Sequence, residues 1–490
     1  MALLEPLLRE SQQNLAVLLD CPVTVLRVTM SERTIPHRRP SWSTIAPRRP
    51  SGQGPRPLVA NALAALAGLG LAAVLAFYLA NESLAALTSP GGWFLAIGRL
   101  SAFVGTYGLI VMLVLIARIP SLERAIGQDR LVRWHRRLGP WPVSLIALHI
   151  VTVTVGYAEI GHNSLLGQVS AFVLHYPDVL ASAAGFVLLV MAAVSSHRLA
   201  RRQMRYETWW VVHLYTYLAI ALAFTHQIRV GVPFLTHALA REAWTSLWVA
   251  SALVVLGYRF VAPLLRNWRH QLRVTEVVEE APGVHSLTIK GHDLDRLAVA
   301  GGQFFQWRFL SPGLWWHSHP YSLSAMPRPP FLRVTVKALG DQSGALAHVK
   351  PGTRVFAEGP YGTFTQHALN TRRAVLIGAG VGVTPLRALL EDLPSDVMVS
   401  VILRASRLDD LVHRDEIAAL VEARHGQIHE LIGPRGQVRF DARQLRRLVP
   451  DIAQRDVYVC GPSGFADLAV DAATRAGAQP EHVHVEAFAF

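Results

Sequence analysis

The stretch "RWHRRLGPWPVSLIALH", residues 133–149, passes from a strongly basic segment into an apolar one and carries a histidine near each end. His135 and His149 are 14 residues apart, which is about 21 Å along an α-helix. His149 lies inside a run that is apolar enough to cross a bilayer, where a titratable side chain is costly and usually has a function. The stretch therefore predicts a membrane helix that holds two functional histidines at different depths.

Apolar runs on both sides of this helix have about the 20-residue length that crosses a bilayer. The six predicted spans are 58–80, 97–116, 141–157, 178–195, 208–226 and 244–263. The loop after the first span has no Lys or Arg, whereas arginines crowd the segments after the second, fourth and sixth spans. Because cytoplasmic loops carry the excess of positive charge, we predict a six-span domain over 58–265 of a plasma-membrane protein, with both termini in the cytoplasm.

The net charge of +13 does not indicate a nucleic-acid-binding protein. The arginines lie in the N-terminal region and in alternate loops, and they do not form one basic recognition face. Residues 1–57 are predicted to be a disordered, Arg- and Pro-rich cytoplasmic tail; residues 1–29 are doubtful, since Met30 is an alternative start. Cys21 and Cys460 provide no disulfide framework.

The fifth predicted span repeats the pattern of the third. It carries His213 near its cytoplasmic end and His226 towards its outer end, 13 residues away. Two such helices side by side would present two pairs of rings, and each pair could ligate the iron of one non-covalent heme. On a regular helix, residues that are thirteen apart point in directions about 140° apart. The fifth span would therefore need a π-bulge, strong tilt or long rotamers to aim both rings at the third span. Buried histidines satisfied by neighbouring polar groups are the alternative.

Other polar residues of the membrane domain have simpler interpretations. Pro140 and Pro142 predict a distorted start of the third span. The histidines of the predicted outer loops are interpreted as solvated residues; they are His162, His175 and His237. Arg229 and Arg241, in the loop between the fifth and sixth spans, could attract an anionic electron acceptor, but solvated charge is the preferred interpretation.

From Arg273 onward the pattern is that of a soluble protein. Residues 270–366 alternate between polar and apolar side chains with turns between them, which predicts a small antiparallel β-barrel. Residues 371–490 begin with an apolar strand, a glycine-rich turn and an amphipathic helix, "RRAVLIGAGVGVTPLRALLEDL" (372–393). Glycines there let the backbone approach a phosphate at a helix N-terminus. The spacing is not G-x-G-x-x-G, so a tight turn without a ligand remains the alternative.

Several motifs in this order resemble known families. The six spans, the histidine pairs, "WHRRLG" (134–139) and "YETWWVVH" (206–213) resemble the ferric reductase-like transmembrane domain of NADPH oxidases and ferric-chelate reductases. "HPYSLSAMP" (319–327), "GPYG" (359–362), "VYVCGPSGF" (457–465) and the final "EAFAF" resemble the ferredoxin reductase superfamily. The fold implied is a six-helix transmembrane bundle, then an antiparallel β-barrel FAD domain and an α/β Rossmann-like domain. The implied cofactors are FAD, two b-type hemes and NADPH, with NADH as the alternative donor.

The resemblance also implies roles for individual residues. His135 and His213 would ligate an inner heme, and His149 and His226 an outer one. Tyr321, Ser322, Cys460 and Phe490 would act at the flavin and the nicotinamide: Tyr321 packs on the ring, Ser322 bonds near its N5, and Phe490 covers its face. Lys337 and Ser343 would contact the FAD diphosphate. The remaining candidates for cofactor binding are His319, Pro320, Gly378, Gly380, Thr384, Pro385, Gly461 and Pro462.

Two of these assignments keep an alternative. Cys460 could equally be a buried small residue without redox chemistry. Arg404 and Arg407 follow the second strand of the nucleotide-binding domain and favour NADPH, because a nearby arginine accommodates a 2′-phosphate. Asp409 and Asp410 follow closely, which leaves solvated surface charge as the other interpretation.

The sequence thus predicts a transmembrane oxidoreductase that passes electrons from cytoplasmic NADPH through FAD and two stacked hemes to an acceptor outside. Oxygen and ferric or cupric ions fit equally, and the sequence does not indicate an oligomeric state. One alternative is a membrane-tethered NAD(P)H-flavin reductase serving a quinone or a protein acceptor, which needs no histidine pairs. Another is a heme-binding subunit that is active only with a partner protein.

Overall fold

The computed structural model describes residues 57–176, 178–434 and 436–488. The predicted tail over 1–57, with its doubtful residues 1–29, lies outside the described residues except for Pro57, and so does Phe490. The described chain begins with helices up to His270 and continues with strands and helices from Arg273 to Phe488.

Six helical segments are long and apolar enough to cross a membrane, as predicted. They are Leu58–Asn81, Gly92–Ile116, Arg130–Gly161, Val179–Ser196, Glu207–Val230 and Ala238–His270, numbered here as spans one to six. The chain is therefore a multi-pass membrane protein. The third and sixth spans are longer than predicted because amphipathic helices continue them on the side that we predict to be cytoplasmic.

The individual α-helices of this domain follow one another with short connections. They are α1 (Pro57–Asn81), α2 (Leu84–Thr88), α3 (Gly92–Ile116), α4 (Pro120–Ile126), α5 (Gln128–Leu138), α6 (Pro140–Gly161), α7 (Leu165–His175), α8 (Val179–Ser196), α9 (Arg198–Gln203), α10 (Tyr206–Val230), α11 (Val232–Thr236), α12 (Ala238–Val255) and α13 (Ala262–His270).

Two spans depart from a regular α-helix. The third span is interrupted at Gly139, between α5 and α6, because Pro140 has no N–H to donate. The sixth span contains a π-helical segment, Leu256–Val261, which joins α12 to α13. The fifth span, α10, is α-helical throughout, so the π-bulge considered for it is wrong and only tilt and rotamers can aim its two histidines.

The second and third spans pack closely through glycines. A Cβ on Gly98 of α3 would come within 2.6 Å of Val153 Cγ2, and one on Gly156 of α6 within 2.9 Å of Leu95. Small residues let membrane helices approach closely, because packing and not water drives their association. The backbones of α3 and α6 are therefore held against each other along their length.

The first soluble unit consists of six antiparallel strands. They are β1 (Arg273–Ala281), β2 (Val284–Lys290), β3 (Phe304–Phe309), β4 (His319–Ser322), β5 (Phe331–Lys337) and β6 (Val355–Tyr361). These strands form two sheets, with the orders β1–β2–β5 and β4–β3–β6. Single bridges, Leu323 to Val334 and Arg273 to Arg354, join the sheets at their two sides. The predicted barrel thus has two continuous ladders and two junctions of one bridge each. The short helix α14 (Asp341–Ala345) follows β5.

The second soluble unit is a parallel sheet with helices, as predicted. Its strands are β7 (Arg373–Ala379), β8 (Met398–Ala405), β9 (Gln427–Ile432), β10 (Asp456–Pro462) and β11 (Val483–Phe488), and its helices are α15 (Val383–Asp392), α16 (Arg414–Glu422), α17 (Ala442–Leu448) and α18 (Ser463–Ala476). The strand order is β11–β10–β7–β8–β9. The order of strand addition reverses between β7 and β10, because β8 and β9 follow on one side of β7 while β10 and β11 lie on the other. Ligands of such sheets bind at the carboxyl ends of the strands beside that point.

Candidate functional site

The structure brings the two cytoplasmic-end histidines together. The ring centres of His135 on α5 and His213 on α10 are 6.1 Å apart, with the ring planes at 72°. Nδ1 of His213 lies 3.3 Å from Ser196 Oγ, and that hydroxyl donates its own hydrogen to the Ala192 carbonyl. Nδ1 of His213 is therefore the donor in this pair, which leaves Nε2 as the nitrogen with a free lone pair.

The two outer histidines share one cavity. His149 and His226 both line an apolar cavity of about 310 Å³ between the spans. Nδ1 of His149 donates to the Gly98 carbonyl at 2.9 Å, because a carbonyl oxygen can only accept, and this again leaves Nε2 free. Nδ1 of His226 is buried and has no hydrogen-bond partner within the described structure.

Charged residues near this cavity were only partly anticipated. Arg99, inside the second span, lines the cavity and forms a 3.0 Å ion pair with Glu82; the sequence signal was an arginine within an apolar run. Arg229 forms an ion pair with Asp178 at 3.1 Å and its side chain is 62% exposed, while Arg241 is exposed. Both side chains are exposed, but they lie on helices and not in the predicted loop: Arg229 is in the last turn of α10 and Arg241 in the first turn of α12.

No cluster of three or more His, Cys, Asp and Glu side chains suited to a metal occurs among the described residues. Heme iron needs only two protein ligands, one on each face. The histidines of the outer loops, His162, His175 and His237, are exposed and stand apart from both pairs.

The strand β4 presents the predicted flavin residues. The rings of His319 and Tyr321 are stacked at 5.6 Å with planes at 7°. Burial, assisted by the neighbouring His317, lowers the pKa of His319 to about 4, and burial raises the pKa of Tyr321. Ser322 is buried and its Oγ has no partner within the described residues. A buried hydroxyl without a partner is costly, so this position suits a ligand that hydrogen-bonds to it; Pro320 is exposed beside it.

The two predicted diphosphate residues lie at the end of β5. Lys337 is exposed at the last position of that strand. Ser343 Oγ accepts hydrogen bonds from the N–H groups of Leu339 and Gly340, at 2.9 and 3.1 Å. Ser343 therefore shapes the loop that follows the exposed Lys337.

The glycine-rich turn follows the end of β7, the strand on whose two sides the later strands are added. Gly380 has φ +54° and no atom within 4 Å of where a Cβ would lie, so its backbone faces open space. Gly378 packs on Leu386, and Thr384 Oγ1 donates to the Val381 carbonyl at 2.8 Å. Thr384 and the buried Pro385 thus hold the turn itself.

The end of β10 lies against this turn. A Cβ on Gly382 would come within 2.4 Å of the Cys460 carbonyl oxygen, so only glycine fits there. Cys460 is fully buried, and burial raises the pKa of its thiol. The thiol is therefore held as a neutral group, while Gly461 and Pro462 complete the strand.

The two arginines considered for NADPH have different surroundings. Arg404 is buried, and its guanidinium donates to the Ala405 and Leu431 carbonyls. Arg407 is 72% exposed and forms a 3.2 Å ion pair with Asp409. Of the two, Arg407 has the more accessible guanidinium.

A buried ionic network, missed from the sequence, links the barrel to the nucleotide-binding domain. Arg333 of β5 binds Ser324, two residues beyond Ser322, and also Glu416 of α16. Glu416 accepts a second ion pair from Arg387 of α15, at 2.8 Å. The partners are 83 residues apart, so no local pattern could reveal the contact.

A second junction joins the membrane domain to the barrel. Arg118, after the second span, pairs with Glu358 at 2.5 Å and contacts Tyr361 of β6. On α13, Asn267 exchanges hydrogen bonds with the backbone of Ala357 at 2.7 and 2.8 Å. Polar contacts thus seat β6 on the ends of the second and sixth spans.

Comparison with known proteins agrees with this architecture. Residues 101–224 match the family model "Ferric reductase like transmembrane component" and residues 376–471 match "Oxidoreductase NAD-binding domain". The first range contains all four paired histidines, and the second contains the glycine-rich turn and Cys460.

Individual relatives match parts of the chain. The ferredoxin reductase component of 3-ketosteroid-9-alpha-monooxygenase from Mycolicibacterium smegmatis is 31% identical over 232 residues, 44% of this chain and 65% of that protein. NADPH oxidase 1 of Mus musculus is 28% identical over 159 residues, 31% of this chain and 25% of that protein. The chain thus spans less than two thirds of either relative.

Among solved structures, this chain resembles the flavohem-like FAD/NAD-binding domain of nitric oxide dioxygenase from Vibrio cholerae. The match covers 45% of this chain and 99% of that domain. Its sequence is 24% identical and the TM-score is 0.38. The two family models thus identify a ferric reductase-like transmembrane component followed by an oxidoreductase NAD-binding domain in this chain.

Proposed function

We propose that this protein is a plasma-membrane oxidoreductase that passes electrons from cytoplasmic NADPH, through FAD and two b-type hemes, to a small-molecule acceptor on the opposite side. When bound, these cofactors supply the conversion of a two-electron donor into one-electron carriers. The chain itself provides ligands, orientation and a path across the bilayer. The observation that carries the proposal is the pairing of His135 with His213.

The distance within this pair supports a shared iron. His135 and His213 would hold one heme iron between them, because each imidazole can present a ring nitrogen to it. The ring centres of His135 and His213 are 6.1 Å apart. Hydrogen bonds from Nδ1 to Ser196 and to Gly98 orient His213 and His149 with Nε2 free, as partners of metal-bound histidines usually do.

The alternative of ordinary buried histidines accounts less well for the outer pair. Burying an unsatisfied nitrogen costs about 1–3 kcal/mol, and Nδ1 of His226 has no partner within the described residues. His149 and His226 also share a cavity of about 310 Å³ with apolar walls, a size typical of small-molecule and cofactor sites.

The soluble residues support FAD and a nicotinamide dinucleotide. Tyr321 offers an aromatic face and Ser322 an unpartnered hydroxyl, so we assign them to the flavin, with His319, Pro320, Lys337 and Ser343 around it. The open backbone at Gly380 suits a phosphate, and the ends of β7 and β10 supply Gly378, Thr384, Pro385, Cys460, Gly461 and Pro462. Arg407 would bind a 2′-phosphate, whereas Arg404 would support it from the sheet.

The acceptor would be oxygen or a ferric or cupric ion. If each histidine pair held one heme iron, the acceptor would not need to bind that iron. The acceptor would therefore be met by side chains near the outer pair, among which Arg99 is the cation that lines the cavity.

The decisive experiment counts hemes. We expect purified full-length protein to contain two b-type hemes per chain by pyridine hemochrome assay, and His149→Leu or His226→Leu to contain one. His175→Leu, at an exposed helix end, is the matched control and should retain two. Two hemes in His149→Leu would contradict the ligand assignment, and none in the unsubstituted protein would leave a membrane-tethered flavin reductase.

A further inference from the structure

The loop between β3 and β4, residues 310–318, carries an unusual apolar surface. Trp315 is 55% exposed, Trp316 49% and Leu310 48%. The two tryptophans are the only exposed tryptophan, tyrosine or phenylalanine side chains within the described residues 273–434 and 436–488. Neither the heme nor the flavin assignments above use them.

The fold itself imposes this exposure. Leu314, in the middle of the loop, is 3% exposed and packs in the barrel core. The N–H groups of Leu314 and Trp315 both donate to the Ser311 carbonyl at 3.1 Å, and that of His317 donates to the Leu314 carbonyl at 3.0 Å. An anchored, hydrogen-bonded turn therefore holds Trp315 outward.

The loop lies beside the end of a membrane span. The ring centres of Trp316 and Trp210 are 6.4 Å apart, and Nε2 of His317 is 3.1 Å from Glu207. Glu207 is the first residue of the fifth span, and Trp210 lies about 4.5 Å further along the helix. Trp316 is thus level with the first turn of a segment that crosses the bilayer.

We propose that the loop 310–318 is a membrane-contacting surface whose partner is the lipid headgroup layer of the bilayer crossed by the six spans. Tryptophan is favoured at that depth because its ring is apolar while its N–H stays hydrated. The contact with Trp210 sets the depth, and Leu310 and Trp315 then face lipid. The flavin-bearing strand β4, which begins at His319, is thereby held at the membrane surface.

Lipid contact can be measured directly in the full chain. In a Cys21→Ser background the remaining Cys460 is fully buried, so Trp315→Cys and, separately, Leu310→Cys accept a single bimane label. The protein is reconstituted in nanodiscs with and without lipid carrying a nitroxide at the headgroup. Leu468→Cys, on α18 and 48% exposed, is the matched control.

We expect bimane at 310 and at 315 to lose emission only in discs that contain nitroxide lipid, and bimane at 468 to be unaffected. Leu310→Cys keeps both tryptophans, so it tests the surface if Trp315→Cys misfolds. Unchanged emission at 310 and 315 overturns the proposal. The proposal is also overturned if bimane emission is unaffected by nitroxide lipid but changes when FAD is added or when a disc holds two copies of the protein. Heme content in the same discs reports on the proposed function independently.

Discussion

Arg333 and Glu416 form a two-pronged ion pair across the boundary between the barrel and the nucleotide-binding domain, with both terminal nitrogens of the arginine 2.7 Å from the carboxylate oxygens. Burial acts to raise the pKa of Glu416, but the hydrogen bonds from Arg333, with His413 also nearby, hold that pKa well below its usual range. The carboxylate is therefore ionised under all ordinary conditions. Through Arg333 and Arg387 it links the strand after Ser322 to the helix after the glycine turn.

Replacing Arg333 should impair the step between nicotinamide and flavin. We expect Arg333→Met to lower the rate of flavin reduction by NADPH about 10- to 100-fold, because a displacement of about 1 Å between reacting groups has effects of this size. Stopped-flow absorbance without oxygen measures the rate. Arg372→Met, which removes an exposed ion pair with Asp396, is the control and should change little. An unaltered rate in Arg333→Met at full flavin content would contradict this role.

Gly98 should be required for the outer histidine. A larger residue would push against Val153 and Thr152 and displace the carbonyl that accepts from His149. We expect Gly98→Val to lower heme content from two towards one and to destabilise the protein by about 1–3 kcal/mol, as overpacking does. Gly68→Val is the control, because nothing lies within 4 Å of its Cβ position. Equal heme content in both variants would count against the Gly98 contact.

The choice of donor should depend on Arg407 more than on Arg404. A charge-assisted hydrogen bond contributes about 1.5–3 kcal/mol, so Arg407→Ser should raise the KM for NADPH roughly 10- to 100-fold and leave that for NADH nearly unchanged. Steady-state kinetics with both donors tests this. Arg404→Ser, which removes bonds to two backbone carbonyls, should instead lower thermal stability. A NADPH preference unaffected by Arg407→Ser would remove it from the site.

Glu123 should make stability depend on pH. Burial raises its pKa from 4.5 to about 7, despite the opposing charge of Arg118. Since the folded pKa exceeds the unfolded one, the protonated carboxyl contributes stability below pH 4.5, and this contribution is lost as the pH rises through 7. The full difference is about 3 kcal/mol. Glu123→Gln should therefore melt at a higher temperature than the unsubstituted protein at pH 8 but not at pH 4.5; equal melting curves at pH 8 would contradict the assignment.

Much of the architecture was predictable because its signals are local. Six apolar runs, alternating strands from Arg273 and the glycine turn each indicate one element, and all were found. The matching depths of His135 and His213 followed from counting residues along two helices. What could not be predicted was the direction in which the two histidines of the fifth span point. Residues that are thirteen apart do not lie on one face of an α-helix, yet α10 is a regular α-helix.

Contacts between distant segments were also out of reach. The Ser196 and Gly98 partners of the histidines carry no distinctive pattern, and Gly98 contributes only a backbone oxygen. The ion pair of Arg333 with Glu416 joins two domains, so its formation depends on how they pack. Arg99 was the exception, since an arginine within an apolar run is unusual and could have been singled out.

The π-helical segment at Leu256–Val261 affects how the soluble part is oriented relative to the membrane helices. A π segment accommodates one residue more than an α-helix does over the same rise, and each residue turns a helix by about 100°. If the same residues continued as a regular α-helix instead, Asn267 would be turned by about 100° away from Ala357. The π segment therefore sets the rotation of α13 about the helix axis. Because Asn267 on α13 contacts β6, this rotation also fixes how the barrel is oriented on the sixth span.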